Sequence, residues 1–236
     1  MIQRKIYYMM LKFLNRQLLI TVICLIITLL VFETTDLDFF IQDFFYDFSI
    51  NQWLIDRDDY YLDLIFYSGI KKVLIFFAVT ILILLIFFRK LSILKEYKQG
   101  LLIVLLSAIF IPVVVGGLKS VSNTPCPKNI EYYNGNYPDV KVFDSYPKTF
   151  KQECKIRCWP AGHASGGFAL LSLYFLFKKP KNKRYVLVLA LLVGWSMGTY
   201  KMLIGDHFFS HTLITMLIAW IIVLLINEVM LLFSKS

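Results

Sequence analysis

Six apolar runs dominate the chain, at residues 17–32, 73–88, 99–118, 160–177, 185–200 and 208–227. Each approaches the ~17–25 residues that a helix needs to cross ~30 Å of hydrocarbon. A soluble domain has no way to bury six such helices. With 58% hydrophobic and 17% aromatic residues in 236, the chain lies above the roughly 45–50% apolar content of soluble proteins. A disordered chain is excluded more firmly still. The expectation is an all-α, multi-pass membrane protein, a single domain over residues 1–236 with six transmembrane helices.

The charges set its orientation. With both termini cytoplasmic, residues 1–16, 89–98, 178–184 and the C-terminal tail hold 14 of the 25 Lys and Arg, but only Glu96 and Glu228 of the acids. Short loops rich in Lys and Arg stay inside. The formal charge of +9 is therefore largely a record of topology, and nucleic acid is not an expected partner. The first apolar run follows Arg4, Lys5, Lys12 and Arg16 as a signal peptide would. It runs into Glu33-Thr34-Thr35-Asp36 without a cleavage pattern, so it reads as a retained anchor. Residues 1–16 place Ile2, Ile6, Met9, Met10 and Phe13 near one face, as in a helix lying on the cytoplasmic surface.

Two outer segments carry most of the polar sequence. Residues 33–69 form an expected interfacial segment, whose first part, 33–63, is acidic and rich in Phe and Tyr, with Arg57 as its one cation. Residues 119–159 form a long outer loop with most of the prolines and three of the four cysteines. Long loops of this kind are frequently functional.

The three histidines, His163, His207 and His211, all fall at outer ends of apolar runs. His207 and His211 are spaced to share a helix face. His163 lies in Pro160-Ala161-Gly162-His163, where proline suits the first turn of a helix whose free N–H groups attract anions. Lys119 and Lys201 close two other runs at the same depth. Singly, an interfacial Lys is a snorkelling anchor and a terminal His is a surface group. Together they form a candidate site for an anion.

Lys119…Cys126-Pro127, Pro160-Ala161-Gly162-His163 and Lys201-x5-His207-x3-His211 resemble, in order and spacing, the three-part signature of the phosphatidic acid phosphatase type 2 superfamily. That signature is usually Lys-x6-Arg-Pro, Pro-Ser-Gly-His and Ser-Arg-x5-His-x3-Asp. The resemblance runs from Lys119 to His211 and looks like a divergent bacterial branch. It departs at Cys126 for Arg, Ala161 for Ser, Lys201 for Arg and His211 for Asp.

The resemblance implies a six-helix enzyme that removes phosphate from a lipid without metal or other cofactor. His207 would be the nucleophile forming a phosphohistidine, His163 the acid and then the base, and His211 the group orienting His207. Lys119, Lys201 and the Gly162 backbone would hold phosphate, with Lys128 or Arg157 replacing the cation missing at Cys126. The substrate would be a lipid phosphate at the periplasmic face of a bacterial inner membrane. Lipid A is the first choice; undecaprenyl diphosphate, phosphatidylglycerol phosphate and transfer to a lipid acceptor stay open. The expected partners are that lipid substrate and the bilayer, and nothing points to a protein partner.

In an oxidising periplasm two of Cys126, Cys154 and Cys158 can pair. Cys126–Cys158 is the preferred bridge because it would clip the Lys119 loop to the start of the Pro160 helix; Cys154–Cys158 is the rival. Three other classes compete: a quinone-linked thiol oxidoreductase, a haem or zinc protein, and a lipid-binding relative without chemistry. The first lacks Cys-x-x-Cys and the second lacks His-Glu-x-x-His.

Overall fold

In the structure, a computed structural model, residues 2–88 and 90–233 are described, the side chains of residues 2–13 and 93 excepted. The protein is mostly helical. Among the described residues, five helices are long and apolar enough to cross a membrane: Leu14–Thr34, Tyr60–Phe87, Leu94–Val121, Pro180–Leu203 and Phe209–Phe233. Their outward faces expose Leu19, Ile23, Ile26, Phe76, Ile83, Val113 and Leu192. Such faces have no counterpart in a water-soluble bundle and suit lipid.

In chain order the helices are α1 (Ile2–Thr34), α2 (Leu37–Gln42), α3 (Tyr60–Asp63), α4 (Gly69–Phe87), α5 (Ser92–Val121), α6 (Gly162–Ala169), α7 (Pro180–Leu203) and α8 (Phe209–Phe233). Three differences from the sequence expectation have physical reasons. First, α1 runs unbroken from residue 2, and the side chains on which the surface-helix reading rests lie outside the described residues. Second, α3 joins α4 through a π-helical turn at Leu64–Ser68, so the second span begins at Tyr60. Residues 60–69, expected as the end of the interfacial segment, are continuous with that candidate span, whose apolar character Asp63, Lys71 and Lys72 mask in the sequence.

Third, the run at 160–177 forms only α6 followed by a 3-10 segment, Leu170–Phe175. The 3-10 rise of ~2.0 Å per residue stretches these two pieces to roughly 25 Å. This segment is enclosed by its neighbours. At Gly100 of α5 a Cβ would lie 2.7 Å from the Leu176 Cα, and at Gly167 a Cβ would lie 2.7 Å from the Gly194 Cα. Glycine is required where backbones approach so closely. The core follows, with Ile111 and Val115 of α5, Ala164 and Phe168 of α6, Ala190 of α7 and Ala219 and Val223 of α8 buried together.

The α4–α5 and α6–α7 connections are short and lie at one end. The opposite end carries the long polar segments. There α2 and a small hairpin, β1 (Tyr46–Asp47) with β2 (Gln52–Trp53), form a cap. Tyr46, Ile130, Tyr133 and Phe208 share an aromatic cluster with Phe39 and Trp53. Gln42, fully buried, donates to Met202 O at 2.8 Å, and Tyr133 donates to Asp43 Oδ1 at 2.8 Å. The cap thereby rests on the turn between α7 and α8.

Candidate active site

That turn, Ile204–Phe208, presents His207. Its backbone N–H and that of Asp206 both donate to Lys201 O, at 3.2 and 2.8 Å. Gly205 adopts a positive φ of 71° against the Trp53 ring. A side chain would be strained there twice over, by the left-handed backbone and by the indole. Lys128 N–H donates to Gly205 O at 3.0 Å, so the long loop is tied to the same turn.

His207 is 1% exposed. Its Nδ1 lies 3.5 Å from His211 Nδ1, one helical turn further on, and 3.5 Å from Cys158 Sγ. Its Nε2 is buried and has no partner among the described residues. Burial, followed by the neighbouring His211 and His163, pushes the His207 pKa well down, which keeps the ring neutral. A neutral imidazole with one free nitrogen has the lone pair that nucleophilic chemistry requires.

His163 lies on the first turn of α6, beyond a cis Trp159–Pro160 peptide. Ala161 N–H donates to His211 O at 3.2 Å and Thr215 Oγ1 donates back to Ala161 O at 3.2 Å, so the starts of α6 and α8 are fastened together. His163 Nδ1 is hydrogen-bonded to Tyr67 Oη at 2.9 Å. The His163 and His207 ring centroids are 5.5 Å apart. Tyr67 thus fixes one nitrogen of His163 and leaves the other for chemistry.

The cations gather around one carboxylate. Asp206 accepts from Lys128 Nζ at 2.6 Å and from Lys201 Nζ at 3.3 Å, while the exposed Arg57 approaches to 3.8 Å. Burial pushes Asp206 up, but the hydrogen bond and charge of Lys128, with Lys201 and Arg57, outweigh it and hold the carboxyl below its usual range. Lys201 Nζ also lies over the Tyr67 ring, 4.6 Å from its centroid. Lys119 faces Gly162; a Cβ on that glycine would be 3.9 Å from Nζ. Three lysines therefore border the histidines, and Asp206 occupies the place of an anion among two of them.

The structure brings His163, His207, His211, Lys119, Lys128, Lys201 and Gly162 to one place. Arg157 is not part of it: the side chain is exposed and makes no ion pair among the described residues. Cys126 and Cys158 form a disulfide with a Cα–Cα distance of 5.2 Å. Cys24 and Cys154 are free thiols. Cys158 Sγ, His207 and His211 could together ligate a metal by proximity, but a disulfide sulfur offers no thiolate.

Tyr67, Asp206 and Arg57 are site residues that the sequence did not reveal. Asp206 adjoins His207 in the chain, which was the one available signal. A cavity of about 540 Å³ leads from His163 and Gly162 between α4, α5, α6 and α7. Leu74, Ile75, Ala108, Pro112 and Ala169 line it, with Lys71 at its rim. It is an apolar groove that ends on His163. A small cleft of about 40 Å³ lies behind His211, among α1, α2 and the long loop.

A family model described as the PAP2 superfamily matches residues 100–234. The chain is also 26% identical over 187 residues to a lipid A 4'-phosphatase of Francisella tularensis subsp. novicida (strain U112), across 77% of this chain and 79% of that protein. No solved structure matches it.

Proposed function

This chain belongs to the PAP2 superfamily, and from that premise we propose that it is a lipid phosphatase whose first-choice substrate is lipid A. The observation that carries the reading is the unpartnered Nε2 of buried His207, set between His163 and the lysine cluster. The relative named as a lipid A 4'-phosphatase supports the choice of substrate.

Acyl chains would lie in the apolar groove and the phosphate would enter the lysines, displacing Asp206 from part of its cation shell. His207 Nε2 would attack phosphorus as the bond to the lipid oxygen breaks, and His163 would protonate that oxygen. His163 would then take a proton from water as the water oxygen attacks the phosphohistidine. The phosphorus–nitrogen bond breaks, and inorganic phosphate and free His207 are left. His211 Nδ1 would accept the His207 Nδ1 proton and fix the ring. A neutral imidazole stabilises the resulting charge less than a carboxylate would, which predicts a slower enzyme. Lys119, Lys201, Lys128 and the Gly162 backbone would hold the phosphate oxygens.

The same reading places both termini in the cytoplasm and the histidines at the periplasmic face of an inner membrane, with α6 and its 3-10 extension as a short sixth span. The excess of Lys and Arg in the loops at the far end supports that orientation. The test is phosphate release by the purified protein from lipid A, undecaprenyl diphosphate and phosphatidylglycerol phosphate, with EDTA present and His207→Ala alongside. Release from lipid A that survives EDTA and is lost in the variant is expected. Release unaffected by His207→Ala would overturn the mechanism, and release only from another lipid would overturn the substrate.

A further inference from the structure

Cys158 Sγ, His207 and His211 offer one ligand atom each, and these three atoms lie within 4.8 Å of one another. The measured edges are 3.5 Å from Sγ to His207 Nδ1 and 3.5 Å between the two Nδ1 atoms. A tetrahedral zinc, with Zn–S of ~2.3 Å and Zn–N of ~2.0–2.1 Å, sets its sulfur and nitrogen ligands about 3.5 Å apart and its nitrogens about 3.3 Å apart. All three residues are buried on separate anchors: Cys158 on the loop, His207 on the turn and His211 on α8. The two imidazoles face one another through Nδ1, so the one proton between them must move to an Nε2 before both lone pairs can receive a cation. One bond stands in the way, because Cys158 is joined to Cys126.

We propose that Cys158, His207 and His211 form a latent site for a zinc-class cation, opened by reduction of the Cys126–Cys158 disulfide, and that metal bound there disables His207. A dithiol reductant supplies the two electrons and two protons. The sulfur–sulfur bond breaks, two cysteine thiols form, and the reductant closes into its own cyclic disulfide. Cys158 then loses its proton to solvent as the metal binds. Thiolate with two imidazoles is a donor set suited to zinc or cobalt, and the fourth position stays open to water or an anion. With its Nδ1 on the metal, His207 carries its ring proton on Nε2 and has no lone pair there to offer phosphorus. That consequence rests on the reading of His207 as the nucleophile; the binding site itself does not.

Cobalt(II) is the probe, used on the full-length detergent-solubilised protein carrying Cys24→Ser and Cys154→Ser so that no other thiol contributes. The oxidised protein is expected to show no thiolate-to-cobalt band. After reduction with dithiothreitol and its anaerobic removal, about one cobalt per chain should bind, with that band and the strong visible absorption of a tetrahedral site. Cys126→Ser should bind without any reductant, and Cys158→Ser should lose the band. An equal band in Cys158→Ser, or none in both reduced protein and Cys126→Ser, overturns the proposal. So does loss of a monodisperse fold in both, since a latent site requires the fold to outlive the disulfide. Zinc should lower phosphate release by Cys126→Ser tenfold or more, reversibly with EDTA. A cobalt band with undiminished release would uphold the site and reject His207 as the nucleophile.

Discussion

Asp38 of α2 holds Ser210 of α8, accepting its backbone N–H at 2.9 Å and its hydroxyl in a 2.5 Å hydrogen bond across 172 positions of sequence. Ser210 stands in the first turn of α8, where free N–H groups and the positive end of the helix dipole favour a carboxylate. An acid from the outer segment thus caps the helix that carries His211. The cap joins this segment to the candidate site.

Burial pushes the Asp38 carboxyl up to about 6, against the opposing pull of the Ser210 bonds and Lys141, with nearby Asp139 adding to the rise. A group whose folded pKa lies above its unfolded value contributes stability that is complete below the unfolded value of 3.8 and is lost as pH rises through about 6. Thermal unfolding in detergent should therefore show an Asp38 contribution that declines between those two values and is flat above them. Asp38→Asn, which cannot ionise, should remove that slope while still offering an acceptor to the Ser210 N–H. Parallel pH profiles of the variant and the natural protein would contradict it.

Lys128 should matter more than Arg157. Lys128 Nζ is 2.6 Å from Asp206, beside Lys201, whereas Arg157 is exposed and outside the cluster. Lys128→Ala should raise KM for the lipid phosphate by roughly tenfold, in line with the ~1.5–3 kcal/mol of a charge-assisted hydrogen bond. Arg157→Ala should leave KM within about twofold, as surface changes remote from a site generally do. Asp206→Asn frees both lysines from a competing carboxylate, so inorganic phosphate should inhibit at lower concentration than in the natural protein. Equal KM values for the two cation variants would reject this assignment of the phosphate pocket.

The sequence and the structure agree most where hydrophobic mass decides and least where distant side chains meet. Five of the apolar runs fall, among the described residues, in helices long and apolar enough to span a membrane, since a helix satisfies its own backbone in hydrocarbon. The start of α3 was hidden because Asp63, Lys71 and Lys72 interrupt the apolar window, and α6 with its 3-10 extension packs closely on Gly194 and Gly100, contacts between residues far apart in the chain. Among the residues that build or support the site, the histidines and lysines were legible because motif spacing places them at helix ends. Tyr67 and Asp38 were not, since each acts on a residue far away in the chain and neither lies in a motif. Asp206 was in plain view beside His207, but only the folded turn aims its carboxylate at Lys128 and Lys201.

If the groove beside His163 holds acyl chains, filling it should separate chain binding from chemistry. Ala108 and Ala169 line it together with Leu74 and Ile75. Ala108→Phe, on the face of α5 that borders the groove, should raise KM for a long-chain lipid phosphate about tenfold or more. Each buried methylene contributes ~0.8 kcal/mol, so displacing even two or three is enough. Phosphate release from a short, soluble phosphate ester should change by less than about threefold, because Ala108 touches none of the lysines or histidines. Equal losses on both substrates would mean that the substitution disturbed the catalytic end and that the groove does not hold the chains.

Gly205→Ala should damage catalysis more than stability. The residue sits at φ 71°, where an L side chain costs about 1–2 kcal/mol, and its new methyl group would meet the Trp53 indole. Trp53 is part of the aromatic cap and can shift, so the fold should survive with a melting temperature lowered by several degrees. The turn has less freedom. Gly205 O receives the Lys128 N–H, and the next two residues are Asp206 and His207. A small rotation of this turn moves the carboxylate out of the lysine cluster and Nε2 out of line with phosphorus, and misplacement by about 1 Å can cost ~100-fold in rate. Steady-state kinetics on Gly205→Ala should therefore show kcat falling by at least tenfold. Trp53→Ala in the same chain removes the indole but not the backbone strain, and should recover part of the rate. A Gly205→Ala protein of full activity would mean that the turn tolerates a rotation that this geometry forbids.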